Sequence, residues 1–220
     1  MPASITPKQF HQTDGVDDWR VLGDGACAYF PTASFEEGVR LIQAISEIGG
    51  LGAGHPDIDL RVEGVTVRLV TITAGYYGLS QRDVELARAI STVARDLDLA
   101  ADPSATQTVQ IAIDALVHPD VIPFWRAVLG YVDRDPVGED LIDPHRRGAP
   151  LWFQQMDAPR PQRNRIYVDV FVPHEEAEKR VAAAIAAGGH LVGDEHAPEW
   201  WTLADAEGNE VDVATTFTRD

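Results

Sequence analysis

The sequence predicts an α+β protein in two domains, residues 1–98 and 107–220. Three observations predict it. Period-2 alternation and helix-period apolar stripes both recur along the chain, so neither an all-α nor an all-β architecture fits. The segment Asp98–Thr106, with Pro103, Ser104 and small residues, separates a helical pattern from a strand-like one and reads as a linker. In the second half the order strand, helix, strands occurs twice without repeating its sequence. The length of 220 residues suits two domains better than one.

Composition narrows the function. The chain carries 18 Lys and Arg against 35 Asp and Glu, a net charge of −17. Such a polyanion repels phosphate backbones and anionic membrane surfaces, so no nucleic-acid or membrane partner is expected. Hydrophobic residues make up 45%, enough to build a core. Cys27 is the single cysteine, which rules out an internal disulfide framework and a cysteine-based zinc site. Met1–Phe10 lacks the basic and apolar regions of a signal peptide, and no apolar run approaches the roughly 20 residues of a membrane span. A cytoplasmic location is the expectation.

The first half reads as an antiparallel sheet with helices on one face. A short helix starts at Thr6–Pro7. Trp19–Leu22 and Ala26–Phe30 flank Gly23-Asp24-Gly25, whose Asp-Gly pair supplies the positive φ of a hairpin turn. Ser34 with Glu37 forms a capping-box pattern ahead of Phe35, Val39, Leu41, Ile42 and Ile45, an amphipathic helix. Val65, Val67 and Leu69 alternate with Thr66 and Arg68 as in a half-buried strand. Ser80 caps a helix over Gln81–Leu97, with Asp83 in its first turn and Val84, Leu86, Ile90, Val93 and Leu97 on its apolar stripe.

The second half reads as two units of the same order, strand, helix, strands. Its first unit has a strand at Thr108–Ile113, a helix at Pro119–Leu129 and a strand at Leu151–Gln154. Pro119 and Pro123 are expected at or near the first turn of that helix. The second unit has a strand at Arg165–Val172 and a helix at Glu175–Ala187 ended by Gly188-Gly189. Strands near His190–Val192, Trp200–Leu203 and Glu210–Ala214 follow. Each strand offers an apolar face to helices and a polar one to a cavity, as in Val211 and Val213 against Glu210 and Asp212.

Three runs go beyond pattern: Gly54-His55-Pro56-Asp57, Val65–Thr71, and Gly78-Leu79-Ser80-Gln81-Arg82-Asp83 continuing to Ala87. Together they resemble the core of the pterin-4a-carbinolamine dehydratase family, over nearly all of residues 13–97. The resemblance implies loss of water from 4a-hydroxytetrahydrobiopterin, with histidines as general acid and base. Histidine suits the task because one proton goes to a hydroxyl and another leaves a ring nitrogen near neutral pH. It places the pterin against Gly54, His55, Thr71, Ile72 and Thr73, with His55 as the acid–base residue. The family's His-His-Pro is Gly54-His55-Pro56 here, its Thr-His is Thr71-Ile72, and Ile58 replaces a tryptophan. The following loop, Thr73–Tyr77, is longer by about two residues. A histidine set so reduced implies slowed turnover; a lone His55 also fits a turn histidine bonded to backbone.

The doubled unit, with Phe124–Gly130, Asn164–Val170 and Leu203–Val211, resembles the glyoxalase-like folds of the vicinal oxygen chelate superfamily over residues 107–216. That resemblance implies a paired βαβββ module with a cavity lined by Gln110, Gln154, Tyr167, Asp169 and Asp212. Tyr167 stands where a histidine ligand is usual, so no bound metal and no cofactor are expected. His118, His145, His174, His190 and His196 lack ligand spacing. Trp152, Trp200 and Trp201 suit either a cavity wall or the core. Three roles remain open: a pterin dehydratase, a binding protein for a small heterocycle, and a self-associating module that uses a sheet edge.

Overall fold

A computed structural model describes residues 3–49, 56–135, 138–159, 166 and 168–216. The chain divides into two compact units, residues 1–108 and 109–220.

The first unit runs β1 (Ser4–Ile5), α1 (Pro7–His11), β2 (Arg20–Leu22), β3 (Gly25–Pro31), α2 (Phe35–Ser46), β4 (Asp57–Arg61), β5 (Gly64–Leu69), β6 (Thr71–Thr73), β7 (Tyr76–Ser80) and α3 (Gln81–Asp96). The main sheet is antiparallel in the order β2-β3-β5-β4. Ala26, Ala28 and Phe30 of β3 and Val65, Val67 and Leu69 of β5 alternate onto one face, where Leu41 and Ile45 of α2 and Val84, Ala87 and Ile90 of α3 complete the core. α2 comes close because Gly38 faces the sheet; a Cβ there would lie 2.4 Å from Leu60 Cδ1. Trp19 is fully buried, and its indole N–H donates to the Ala87 carbonyl at 3.2 Å and Ser91 Oγ at 3.1 Å.

Both expected helices form with their caps. Ser34 Oγ accepts from Glu37 N, and Asp83 reaches back to Ser80 N at 2.7 Å. The expected loop Thr73–Tyr77 is instead the β6–β7 hairpin, which pairs Thr71 with Gly78, Ile72 with Tyr77 and Thr73 with Tyr76. β1 pairs with the other edge of β7.

The second unit runs β8 (Ile111–Ala115), α4 (His118–Leu129), β9 (Val132–Asp133), β10 (Leu141–Ile142), β11 (Leu151–Gln155), β12 (Asp169–Phe171), α5 (His174–Ala186), β13 (His190–Gly193), β14 (Trp200–Ala204) and β15 (Glu210–Ala214). Its two sheets, β8-β11-β10-β9 and β12-β15-β14-β13, have the same order. In each, the first strand pairs parallel to the fourth, and the others pair antiparallel. The paired βαβββ expectation describes this architecture.

Three boundaries differ from expectation. β8 begins at Ile111, not Thr108, because its partner β11 begins at Leu151 after Pro150, which has no N–H to extend the ladder. Within Arg165–Val172 the described strand is only Asp169–Phe171, closed by Pro173. α4 begins at His118, so Pro123 lies in its interior and not in its first turn.

The turn between β14 and β15 clips the halves of this unit together. Asp205 is fully buried and accepts from the backbone N–H of Glu207 and Asn209, from the Asn209 amide, and from the Trp125 indole of α4 at 2.9 Å. Glu207 accepts from the N–H groups of Leu116 and Val117, where α4 begins. Removing the Asp205 carboxylate strands several buried donors, so Asp205→Ala should destabilise the fold by about 3 kcal/mol. Urea unfolding followed by tryptophan fluorescence checks this; an unchanged midpoint would contradict it.

Candidate functional site

In the first unit, chemistry-bearing residues collect at the sheet end where β5 gives way to the β6–β7 hairpin. Thr71 is held firmly. Its hydroxyl donates to Asp83 at 2.7 Å and lies 2.7 Å from Ser80 Oγ, while Asp83 also accepts from Ser80 N and Oγ. Asp83 and Ser80 are buried, so this knot fixes where the next residues emerge. Those residues are Ile72, 43% exposed, and Thr73, also exposed. Gly54 and His55 lie outside the described residues. The chain resumes at Pro56, and Asp57 opens β4 opposite Arg68.

Arg68 is the charge centre of this end. On the face of β5 away from the helices, it donates to Asp57 Oδ2 at 3.0 Å and to Asp24 Oδ2. Asp24, in the β2–β3 turn, is 5% exposed, and its other oxygen accepts from the Tyr77 hydroxyl. The network thus joins three connections: the β2–β3 turn, the start of β4 and the β6–β7 hairpin. Cys27, opposite Arg68 on β3, is buried, and burial pushes its thiol pKa up to about 11 against the pull of the Arg68 charge. Asp24, Arg68 and Tyr77 do not stand out in the sequence. Asp24 reads as a turn former, Arg68 as the polar half of an alternating strand, and Tyr77 as part of a loop.

In the second unit, two cavities of about 270 and 340 Å³ share Ile111, Trp125 and Val168. The smaller also meets Leu151, Tyr131 and Asp169; the larger meets Asp114, Asn209 and Glu210. Tyr131 donates to the Ala149 carbonyl at 3.2 Å, and burial, then the Asp143 charge, raises its pKa and keeps the phenol neutral. Of the cavity residues read from sequence, Asp169 lines the smaller cavity and pairs with Asp212 across the parallel ladder. Asp212 accepts from Thr202 at 2.6 Å. Gln110 and Gln154 are exposed residues of the other half, Gln154 pairing with Asp114. Tyr167 lies outside the described residues. Two neutral amides and an engaged carboxylate do not make the donor set of a divalent-metal centre. Among the described residues no three His, Cys, Asp or Glu side chains gather as ligands.

Comparison with known proteins agrees with both halves. Residues 4–93 match the pterin 4 alpha carbinolamine dehydratase family, and residues 110–214 match a glyoxalase-like domain. A relative in Nocardia farcinica, provisionally named a pterin-4-alpha-carbinolamine dehydratase, is 38% identical over 78 residues, covering 36% of this chain and 80% of its own. The chain belongs to the pterin-4a-carbinolamine dehydratase family. A second relative of that provisional name, from Mycobacterium avium, is 37% identical over 81 residues, 36% of this chain and 81% of its own. A glyoxalase-related enzyme from Fulvimarina pelagi overlays 50% of this chain and 88% of its own at 16% identity and a TM-score of 0.40.

The dehydratase-family unit therefore carries its own cysteine beside the Arg68 network without offering it as a nucleophile. A thiol with so raised a pKa is protonated at pH 8 and shielded from reagents. We expect Cys27 to resist iodoacetamide in the folded chain and to react on denaturation, read by mass spectrometry. Rapid labelling of the folded chain would contradict the burial of Cys27.

Proposed function

We propose that the dehydratase-family unit binds a reduced pterin 4a-carbinolamine and removes water from it slowly, with His55 as the acid–base residue and Gly54, Thr71, Ile72 and Thr73 against the ligand. What carries this reading is the Thr71–Ser80–Asp83 knot. Ser80 and Asp83 lie in the Gly78–Ala87 run that resembles the family, and their bonds to Thr71 hold the start of β6, where Ile72 follows. The scaffold for a group at that position is kept while the imidazole is gone.

Dehydration needs a proton delivered to the leaving hydroxyl and another removed from the ring nitrogen, so that the nitrogen's electron pair forms the new C=N bond. Each general acid or base typically contributes 10²–10⁴-fold. Loss of imidazole at positions 54 and 72 slows the reaction by roughly two to several orders of magnitude relative to a full histidine set, since losses at groups acting together need not multiply.

A second reading has its own observation. The cavities beside Trp125 present mostly apolar walls with a few polar groups, Tyr131 and Asp169 among them, as a binding site for a small aromatic or heterocyclic molecule does. In that reading the glyoxalase-like unit binds without turnover.

Following dehydration of 4a-hydroxytetrahydropterin by stopped-flow absorbance tests the first reading. The wild-type chain should exceed the uncatalysed rate, His55→Ala should fall to background, and Ile72→His should gain about tenfold or more. Equal, background rates for the wild type and His55→Ala would contradict turnover and leave binding or assembly as the unit's role.

A further inference from the structure

The smaller cavity of the second unit joins aromatic walls to an unpaired carboxylate. Trp125, Tyr131 and Phe171 line it together with Ile111, Leu151 and Asp169. Asp169 and Phe171 flank Val170 on β12, so both stand on the side of the strand opposite Val170, which packs on the core. Among the described residues the Asp169 carboxylate makes no hydrogen bond or ion pair, and it is the one charged group in the lining. Its neighbour across the ladder is a second carboxylate, Asp212, and like charges side by side repel. The net charge of −17 deepens the negative potential. Tyr131 contributes a neutral ring, since burial and then the Asp143 charge raise its pKa.

We propose that this cavity binds a small organic ammonium ion, held between the Asp169 carboxylate and the rings of Trp125 and Tyr131. The proposal rests on the second reading above, the binding of a small molecule beside Trp125, and names the charge of the ligand. An aromatic ring carries negative potential over its face, so a cation gains there what a neutral molecule of the same shape does not. The carbon groups of an organic ammonium fill the apolar space beside Ile111 and Leu151. A divalent metal ion would give up its water against those walls in return for a single free carboxylate. The Trp125 indole is fixed beforehand by its bond to Asp205, so little freedom is lost on binding. A volume of about 270 Å³ is small for a ligand cavity and suits a single ring with its ammonium group.

The test uses the full chain and two probes of nearly equal size, benzylammonium and benzyl alcohol. Each is titrated near neutral pH while the Trp125 indole N–H is followed by NMR. Benzylammonium should shift that signal and bind at least about tenfold more tightly than the alcohol. Asp169→Asn removes the charge and breaks no bond among the described residues. It should weaken benzylammonium about tenfold and leave benzyl alcohol within about threefold. Benzyl alcohol binding the wild type as tightly as benzylammonium would overturn the ammonium site and leave the binding reading standing. So would an Asp169→Asn variant that binds benzylammonium unchanged or loses both probes alike. Displacement of benzylammonium by magnesium at the same concentration would overturn it too, because the carboxylates and not the rings would then hold the ligand. If neither probe moves the Trp125 signal, the ammonium site and the binding reading both fall.

Discussion

A guanidinium whose side chain is only 15% exposed needs its charge met on the spot, and meeting that need at Arg68 organises one end of the first unit's sheet. Asp24 and Asp57 both turn toward it, one from the β2–β3 turn and one from the first residue of β4. Because Asp24 is thereby drawn inward, its other oxygen is placed to accept from Tyr77 and tether the β6–β7 hairpin. Three separate connections converge on one side chain. Losing one partner of such a buried set would leave an uncompensated charge, which typically costs about 3–5 kcal/mol.

The second unit uses a different device for a similar end. Its halves repeat one strand order, yet each sheet has only four strands, and the turn carrying Asp205 and Glu207 secures α4 of the first half to the sheet of the second. Trp125, fixed by Asp205, then forms a wall of both cavities. The same carboxylate that closes the turn also shapes the two cavities.

Much of this was legible in the sequence where the determinants are local. Ser34, Ser80 and Asp83 announce their helix starts because a cap acts within four residues. The strand–helix–strands order of each half was readable from periodicity, and strands such as β5 and β15 alternate buried Val65, Val67, Val211 and Val213 with the half-buried Thr66, Arg68, Glu210 and Asp212. Strands such as β1, β6, β9 and β10, with two or three residues, are too short to show a period. The Arg68 network was not legible for a further reason. Asp24 and Arg68 lie 44 residues apart, and Asp24 and Tyr77 lie 53 apart. A turn aspartate looks the same in sequence whether it faces water or a guanidinium. Tyr77 lies in the Thr73–Tyr77 stretch, which reads as a loop and in the structure belongs to the β6–β7 hairpin. The start of β8 moved because Pro150, just before β11 and far along the chain, cannot donate to it.

In the proposed reading a pterin sits at the sheet end around Arg68, Asp24 and Tyr77. A crystal structure of the full chain with 7,8-dihydrobiopterin tests it most directly. Ligand density against Thr71, Ile72 and Thr73, with the pterin ring within hydrogen-bond reach of the Tyr77 hydroxyl, is the expected result. A pterin bound instead in the cavities beside Trp125, with the β6–β7 hairpin bare, would contradict it.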